Sequence, residues 1–266
     1  MRFKLMNRII HQIILLTTIL IILCSLYDLS THDEWPISDI KIIEASEKQT
    51  ATNTRMIDKL LNENEKVMLI YIHWFGGQRF WWVLLISHLV PNYVKLIFPK
   101  AKATTDRNLF ALPLPSWFIA KVPVFLSNPE DEGGEIISAA AIQQIIRDEI
   151  QNGIPSTRIM LGGISQGAVL AILAGLTFEL PLAGVIAHSS FLPLPGDFQN
   201  DYFVSNLPNK DLPILDCHGV FDTIIPLSTS IKSANIIKRF NPNYKLLLFL
   251  SGHHPNAQEI LKMNNV

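Results

Sequence analysis

A serine with glycine two residues before it and two after, Gly163-Ile164-Ser165-Gln166-Gly167, stands between an apolar run, Ile159-Met160-Leu161, and a helix-forming run that starts at Ala168. Strand, tight Gly-x-Ser-x-Gly turn and helix is the spacing of a nucleophile elbow. At Gly163 and Gly167 so sharp a turn leaves no room for a Cβ, and it presents Ser165 at the end of the strand. An ordinary glycine-rich turn between a strand and a helix is the competing reading.

A serine hydroxyl attacks a carbonyl only if a neighbouring base takes its proton, and that base needs an acid to orient it. Where an elbow supplies the serine, the acid and then the histidine follow in chain order. Both belong just past strands, because the site of an open parallel sheet lies at the carboxyl ends of its strands. Asp222 meets this condition after the run Ile214-Leu215-Asp216-Cys217, whereas Asp216 lies inside that run. His253 and His254 both follow the last apolar run, and the residues themselves leave the choice between them open. His73 and His218 come on the wrong side of Ser165 or Asp222 in chain order and suit structural hydrogen bonds; His188 could line the site. The oxyanion needs two donors. One is the backbone N–H of Gln166, next to the nucleophile, and the other should come from the loop His73-Trp74-Phe75-Gly76-Gly77. No histidine and carboxylate set has metal-ligand spacing, so neither a metal nor a cofactor is expected.

These groups require strands to carry them. Val67–His73, Val94–Phe98, Arg158–Leu161, Leu182–His188, Ile214–Cys217 and Lys245–Leu250 read as buried strands. Helices are expected at Arg79–Leu89, Glu135–Gln151, Gln166–Phe178, Ser228–Arg239 and Ala257–Met263. On the second of these, Ile137, Ala141, Ile145 and later Ile150 mark an apolar stripe. Alternating strands and helices predict an α/β fold with a mostly parallel central sheet and helices on both faces. Residues 101–134, with Pro113, Pro115, Pro123 and Pro129, read as a long functional excursion.

The chain has 266 residues, a formal charge of −1 and 48% hydrophobic residues, ample for a sizeable core. No basic excess points to nucleic acid. Arg2, Lys4 and Arg8 precede an uncharged stretch, Ile9–Leu26, which as a helix would span about 27 Å. No small-residue cleavage site follows, so residues 1–30 read as a hydrophobic signal anchor, with a cleaved signal peptide as the alternative. The anchor would place the main domain in the secretory pathway or at a membrane. Residues 31–66 read as a polar lead-in with a short strand at Ile40–Ile43, and 67–266 as one domain. Cys24 and Cys217 are the only two cysteines, too few to reveal a redox compartment.

With these residues in place, the chain from 67 to 264 resembles the acyl-protein thioesterases of the phospholipase/carboxylesterase family of α/β-hydrolases. The resemblance rests on Pro115-Ser116-Trp117-Phe118, Glu130-Asp131-Glu132, Asn152-Gly153-Ile154-Pro155, Arg158 through Gly167, Leu182-Ala183-Gly184-Val185, Leu192-Pro193-Leu194 and Cys217-His218-Gly219 through Asp222 to Pro226-Leu227. It implies Ser165 as nucleophile, Asp222 as orienting acid, and Phe75 with Gln166 as oxyanion donors. An ungapped count from Asn243 puts the family's catalytic histidine on His254; one gap in the last strand would put it on His253. It also implies an apolar channel for a fatty acyl chain, with Leu112, Leu114, Trp117 and Phe191 as its walls. Family members are typically cytoplasmic, which is the alternative location. Trp74 and Gly77 depart from the family's usual His-Gly-x-Gly-Asp, Ile119 replaces an acid, and Phe191 stands where tryptophan is common.

The expected activity is therefore hydrolysis of fatty acyl thioesters or esters, with acylated protein as substrate. Lysolipid hydrolysis or general carboxylesterase activity is the alternative within the class. A non-catalytic lipid-binding or partner-binding domain is the alternative outside it.

Overall fold

The computed structural model describes residues 67–76, 94–101, 103–104, 114–119 and 131–254. Strand β1 (Val67–Ile72) is apolar throughout, and its alternate side chains part to opposite faces. Met68, Ile70 and Ile72 enter the main core, while Leu69 and Tyr71 enter a smaller one behind the sheet. β2 (Val94–Ile97) pairs with it in parallel. β3 (Ala103–Thr104) and β4 (Leu114–Pro115) form a small antiparallel ribbon of their own. β5 (Ile159–Ile164), β6 (Gly184–His188), β7 (Ile214–Gly219) and β8 (Tyr244–Phe249) complete a six-stranded sheet of order β2-β1-β5-β6-β7-β8. Every neighbouring pair in it is parallel, as a sheet built from strand–helix–strand crossovers requires.

Among the described residues, three helices cover one face. α1 (Glu132–Gln151) starts where the Asp131 carboxylate accepts the Gly134 N–H at 3.1 Å, capping its first turn. α2 (Gln166–Thr177) is apolar all round and buried from Gln166 to Leu176, packed between the sheet and α1. After a short α3 (Asp201–Ser205), α4 (Leu227–Lys238) packs on β7 and β8. Core residues of α1, α2 and α4 share one cluster with Met68, Leu161, Val185 and Ile214.

One expectation changes. The buried stripe of α1 is Glu135, Ala139, Ile142, Ile146 and Glu149; of the expected stripe, Ile145 and Ile150 pack half-buried against the core, while Ala141 is exposed and Ile137 is 72% exposed. Isoleucines occur on more than one side of this helix, so helical spacing alone admitted two faces. Within the excursion from 101 to 134, the described residues hold the β3–β4 ribbon and the segment 116–119.

The expected helices at 79–89 and 257–263, the strand at 40–43 and the hydrophobic helix of residues 1–30 lie outside the described residues. Among the described residues, no helix is long and apolar enough to cross a membrane.

Candidate active site

Ser165 sits between β5 and α2 with φ 53° and ψ −124°, a left-handed conformation that costs a non-glycine residue about 1–3 kcal/mol. The neighbouring backbone holds it there. A Cβ on Gly163 would lie 2.4 Å from the Gly167 carbonyl carbon, and one on Gly167 would lie 2.1 Å from the Ile72 carbonyl oxygen. The two glycines thus let β1, β5 and α2 meet closer than any side chain would allow. The Ser165 N–H donates to the His188 carbonyl at 2.9 Å, tying the elbow to the end of β6. Gln166 opens α2, so its N–H has no partner one turn back in the helix and stands beside the serine.

The Gln166 side chain is buried and does separate work. Its Nε2 donates to the Phe118 carbonyl at 2.7 Å, and its Oε1 accepts the Trp117 N–H at 3.3 Å. It thereby pins residues 116–118 over the start of α2. The loop after β1 is fastened to the same segment. Trp117 Nε1 donates to the His73 carbonyl at 2.9 Å, and the Gly76 N–H donates to the Pro115 carbonyl at 2.7 Å. Inside that loop His73 Nδ1 donates to the Trp74 carbonyl at 2.7 Å, while its Nε2 accepts the Ala101 N–H at 3.2 Å. This arrangement needs a neutral ring. Burial, outweighing the Trp74 carbonyl, holds the His73 pKa below its ordinary value.

His253 and Asp222 meet at the far side. His253 Nδ1 lies 2.8 Å from Asp222 Oδ2, and both side chains are buried. Asp222 Oδ1 accepts the N–H groups of Ile224 and Ile225 at 2.9 and 2.8 Å. Burial pushes the Asp222 pKa up, but the bond to His253, the nearby imidazoles of His253 and His218 and the Ile225 N–H outweigh it and leave it lowered. His218 donates through Nε2 to the Ile225 carbonyl at 2.9 Å, bracing the same turn.

His254 points elsewhere. It is exposed, its ring 5.6 Å from that of Trp74. The histidine paired with Asp222 is His253, where the ungapped count favours His254. The reason lies in the approach of the two loops. A Cβ on Gly219 would be 2.1 Å from the Gly252 carbonyl oxygen, and the Phe221 N–H donates to the Ser251 carbonyl at 3.0 Å. Ser189, itself at φ 49°, donates through Oγ to the His253 carbonyl at 2.8 Å. Together these contacts set which of the two adjacent rings turns inward.

Asp216 is engaged away from this pair. It is buried in β7, where Ser190 Oγ and Tyr244 OH donate to its Oδ2 at 2.7 and 2.8 Å. Burial raises its pKa against the opposing influence of His218 and these two hydroxyls. His188, fully buried beneath the site, is pushed down to about 3 by burial and then by the neighbouring His253 and His218. Among the described residues, no group of three or more His, Cys, Asp or Glu could hold a metal ion.

The model of the phospholipase/carboxylesterase family matches residues 52–265. The chain belongs to that family. The match begins inside the segment read as a polar lead-in. Among curated relatives, acyl-protein thioesterase 1 of Schizosaccharomyces pombe is 32% identical over 170 residues, covering 64% of this chain and 74% of that protein. Acyl-protein thioesterase 1 of Neurospora crassa is 29% identical over 201 residues, covering 72% and 82%. Among solved structures, Arabidopsis thaliana SOBER1 superposes with a TM-score of 0.66 at 20% identity, covering 75% of this chain and 96% of that one. Zea mays acyl-protein thioesterase 2 does so with a TM-score of 0.64 at 20% identity, covering 75% and 91%. The fold is that of the α/β-hydrolases.

Within this phospholipase/carboxylesterase frame, Phe75 lies in the loop tied to Pro115, and Trp117 stands half-buried with its ring 5.1 Å from that of His73. Phe191 is buried in the main core. Leu114 lies on β4, and Leu112 falls outside the described residues. The side-chain clamp of Gln166 and the Ser189 brace were not read from the sequence. A glutamine and a serine carry no motif that announces such long-range bonds.

Proposed function

We propose that this family member is an acyl-protein thioesterase: a serine hydrolase that removes fatty acyl groups from protein cysteines through Ser165, His253 and Asp222. The observation that carries the reading is the buried His253–Asp222 pair, which like the strained Ser165 elbow follows the carboxyl ends of strands in the parallel sheet. The acyl-protein thioesterase names of the relatives support the substrate class.

In this mechanism Ser165 Oγ attacks the thioester carbonyl carbon while its proton passes to His253 Nε2. Asp222 keeps the proton on Nδ1, so Nε2 is the atom free to accept. The carbonyl oxygen becomes an oxyanion facing the N–H groups of Gln166 and Phe75. As the carbon–sulfur bond breaks, the cysteine sulfur takes the proton from His253. Water then repeats the attack on the acyl-enzyme, the fatty acid leaves and Ser165 regains its proton. Leu112, Leu114 and Trp117 are proposed to line the acyl channel, where each buried methylene contributes about 0.8 kcal/mol; Phe191, buried in the main core, does not reach it. The hydrolase domain is read as running from residue 67. Residues 1–30 are proposed to hold it at a membrane, because three basic residues precede an uncharged apolar stretch.

A fluorophosphonate probe tests the nucleophile: labelling of the wild type and none of Ser165→Ala is expected. Folded wild-type protein that resists the probe refutes the enzyme reading in favour of a binding domain. Faster turnover of lysophosphatidylcholine than of a palmitoyl-cysteine peptide would favour the lysophospholipase alternative. Alkaline carbonate extraction of membranes tests residues 1–30, and the anchor reading fails if the full chain is released.

A further inference from the structure

His254, displaced from the role of base, stands in a position of its own. Its ring is 5.6 Å from that of His253 and 5.6 Å from that of Trp74, edge-on to both. Trp74 directly precedes Phe75 on the loop fastened to residues 115–117. The two rings therefore join the loop that carries the proposed oxyanion donor to the loop that carries the base. We propose that Trp74 and His254 form a leaving-group subsite, which selects acylated peptides bearing an aromatic or cationic side chain beside the acylated cysteine.

The subsite presupposes the acyl-thioesterase reading and follows from the direction of proton transfer. The base must hand its proton to the departing sulfur, so the cysteine and its neighbours lie against the base loop. The acyl carbon chain leaves the carbonyl for the proposed channel at Trp117, while His254 stands on the base loop, so the two halves of the substrate meet different residues. His254 is exposed, and Trp74, packed on one side against the Tyr71–Ile164 cluster, is half-buried, so an incoming peptide meets His254 and the part of the indole outside that cluster. An indole face attracts cations and stacks on other rings, whereas a glycine at position 74 offers neither. The subsite makes no bond and moves no proton; it discriminates.

The test holds one half of the substrate constant while varying the other. Octanoyl-cysteine peptides with arginine, tryptophan or glycine next to the cysteine form one series; glycine-flanked peptides with butanoyl, octanoyl or palmitoyl chains form the second. Wild type is expected to favour the arginine and tryptophan peptides over glycine by roughly threefold or more in kcat/KM. In His254→Ala and Trp74→Ala that ratio falls toward one, while the ratios across chain lengths stay as in wild type. His254→Ala, a truncation at an exposed position, keeps the test valid if Trp74→Ala fails to fold. Unchanged leaving-group ratios in folded variants, or equal shifts in both series, overturn the subsite. A wild type that cleaves none of these thioesters refutes the thioesterase reading itself, a distinct outcome.

Discussion

His253 Nδ1 lies 2.8 Å from Asp222 Oδ2, while the ring of its neighbour His254 turns outward against Trp74. Two consecutive imidazoles thus have opposite fates. Replacing each in turn should separate them sharply. His253→Ala is expected to lower kcat/KM by about 10⁴-fold or more, as loss of a triad base does elsewhere. His254→Ala should stay within about tenfold of wild type. Steady-state kinetics on a soluble thioester checks both, and a reversed order would return the base to His254.

Asp222→Asn keeps the size of the side chain but removes its charge. The new amide would then favour the wrong histidine tautomer, and kcat should fall by about 10⁴-fold with the fold retained. Circular dichroism alongside the rate measurement distinguishes this from unfolding.

Gly219 fixes the position of the base loop. Gly219→Ala puts a Cβ 2.1 Å from the Gly252 carbonyl oxygen, where only backbone can yield. A loss of about 3 kcal/mol is expected in urea unfolding, with activity falling further as His253 shifts. Gly133→Ala is the contrast: a Cβ there meets nothing within 4 Å and lies in the first turn of α1. It should raise stability by up to about 1 kcal/mol.

Loss of the Gln166 side chain separates it from the Gln166 backbone. Gln166→Ala keeps the N–H beside Ser165 but removes the acceptor of the Trp117 N–H and leaves the Phe118 carbonyl with the Ser116 hydroxyl alone. Stability should drop by about 1–3 kcal/mol. The KM for long-chain substrates should rise more than kcat falls, because residues 116–118 lose their anchor. Chain-length series on the variant would show this.

Acid should destabilise the fold through His188. Its folded pKa is about 3 against an ordinary 6.5, so below 6.5 the unfolded chain binds a proton that the folded one refuses. Stability from this residue is therefore full above pH 6.5 and lost as the pH falls toward 3, by up to about 1.4 kcal/mol per pH unit. The lowered pKa of His73 acts in the same direction. Urea midpoints of wild type and His188→Asn between pH 7 and 4 check this: the variant's slope should be shallower.

The strand–turn–helix pattern around Ser165 could be read from residue order because each part is local. Apolar runs of strand length, glycines two residues from the serine and a following helical run all lie close together in the chain. The same locality made the parallel sheet and the family legible. The buried face of α1 was not, since isoleucines on several sides let the core choose Ile142 and Ile146 over Ile137. Nor was the histidine. His253 and His254 are chemically identical neighbours, and their directions depend on contacts between residues far apart in the chain: Gly219 against Gly252, Phe221 with Ser251, Ser189 with the His253 carbonyl. Residue order alone therefore specified the elbow, the sheet and the family. Which imidazole faces Asp222, and which is left to Trp74, was settled in three dimensions, because packing across the sheet makes that choice and neighbours along the chain do not.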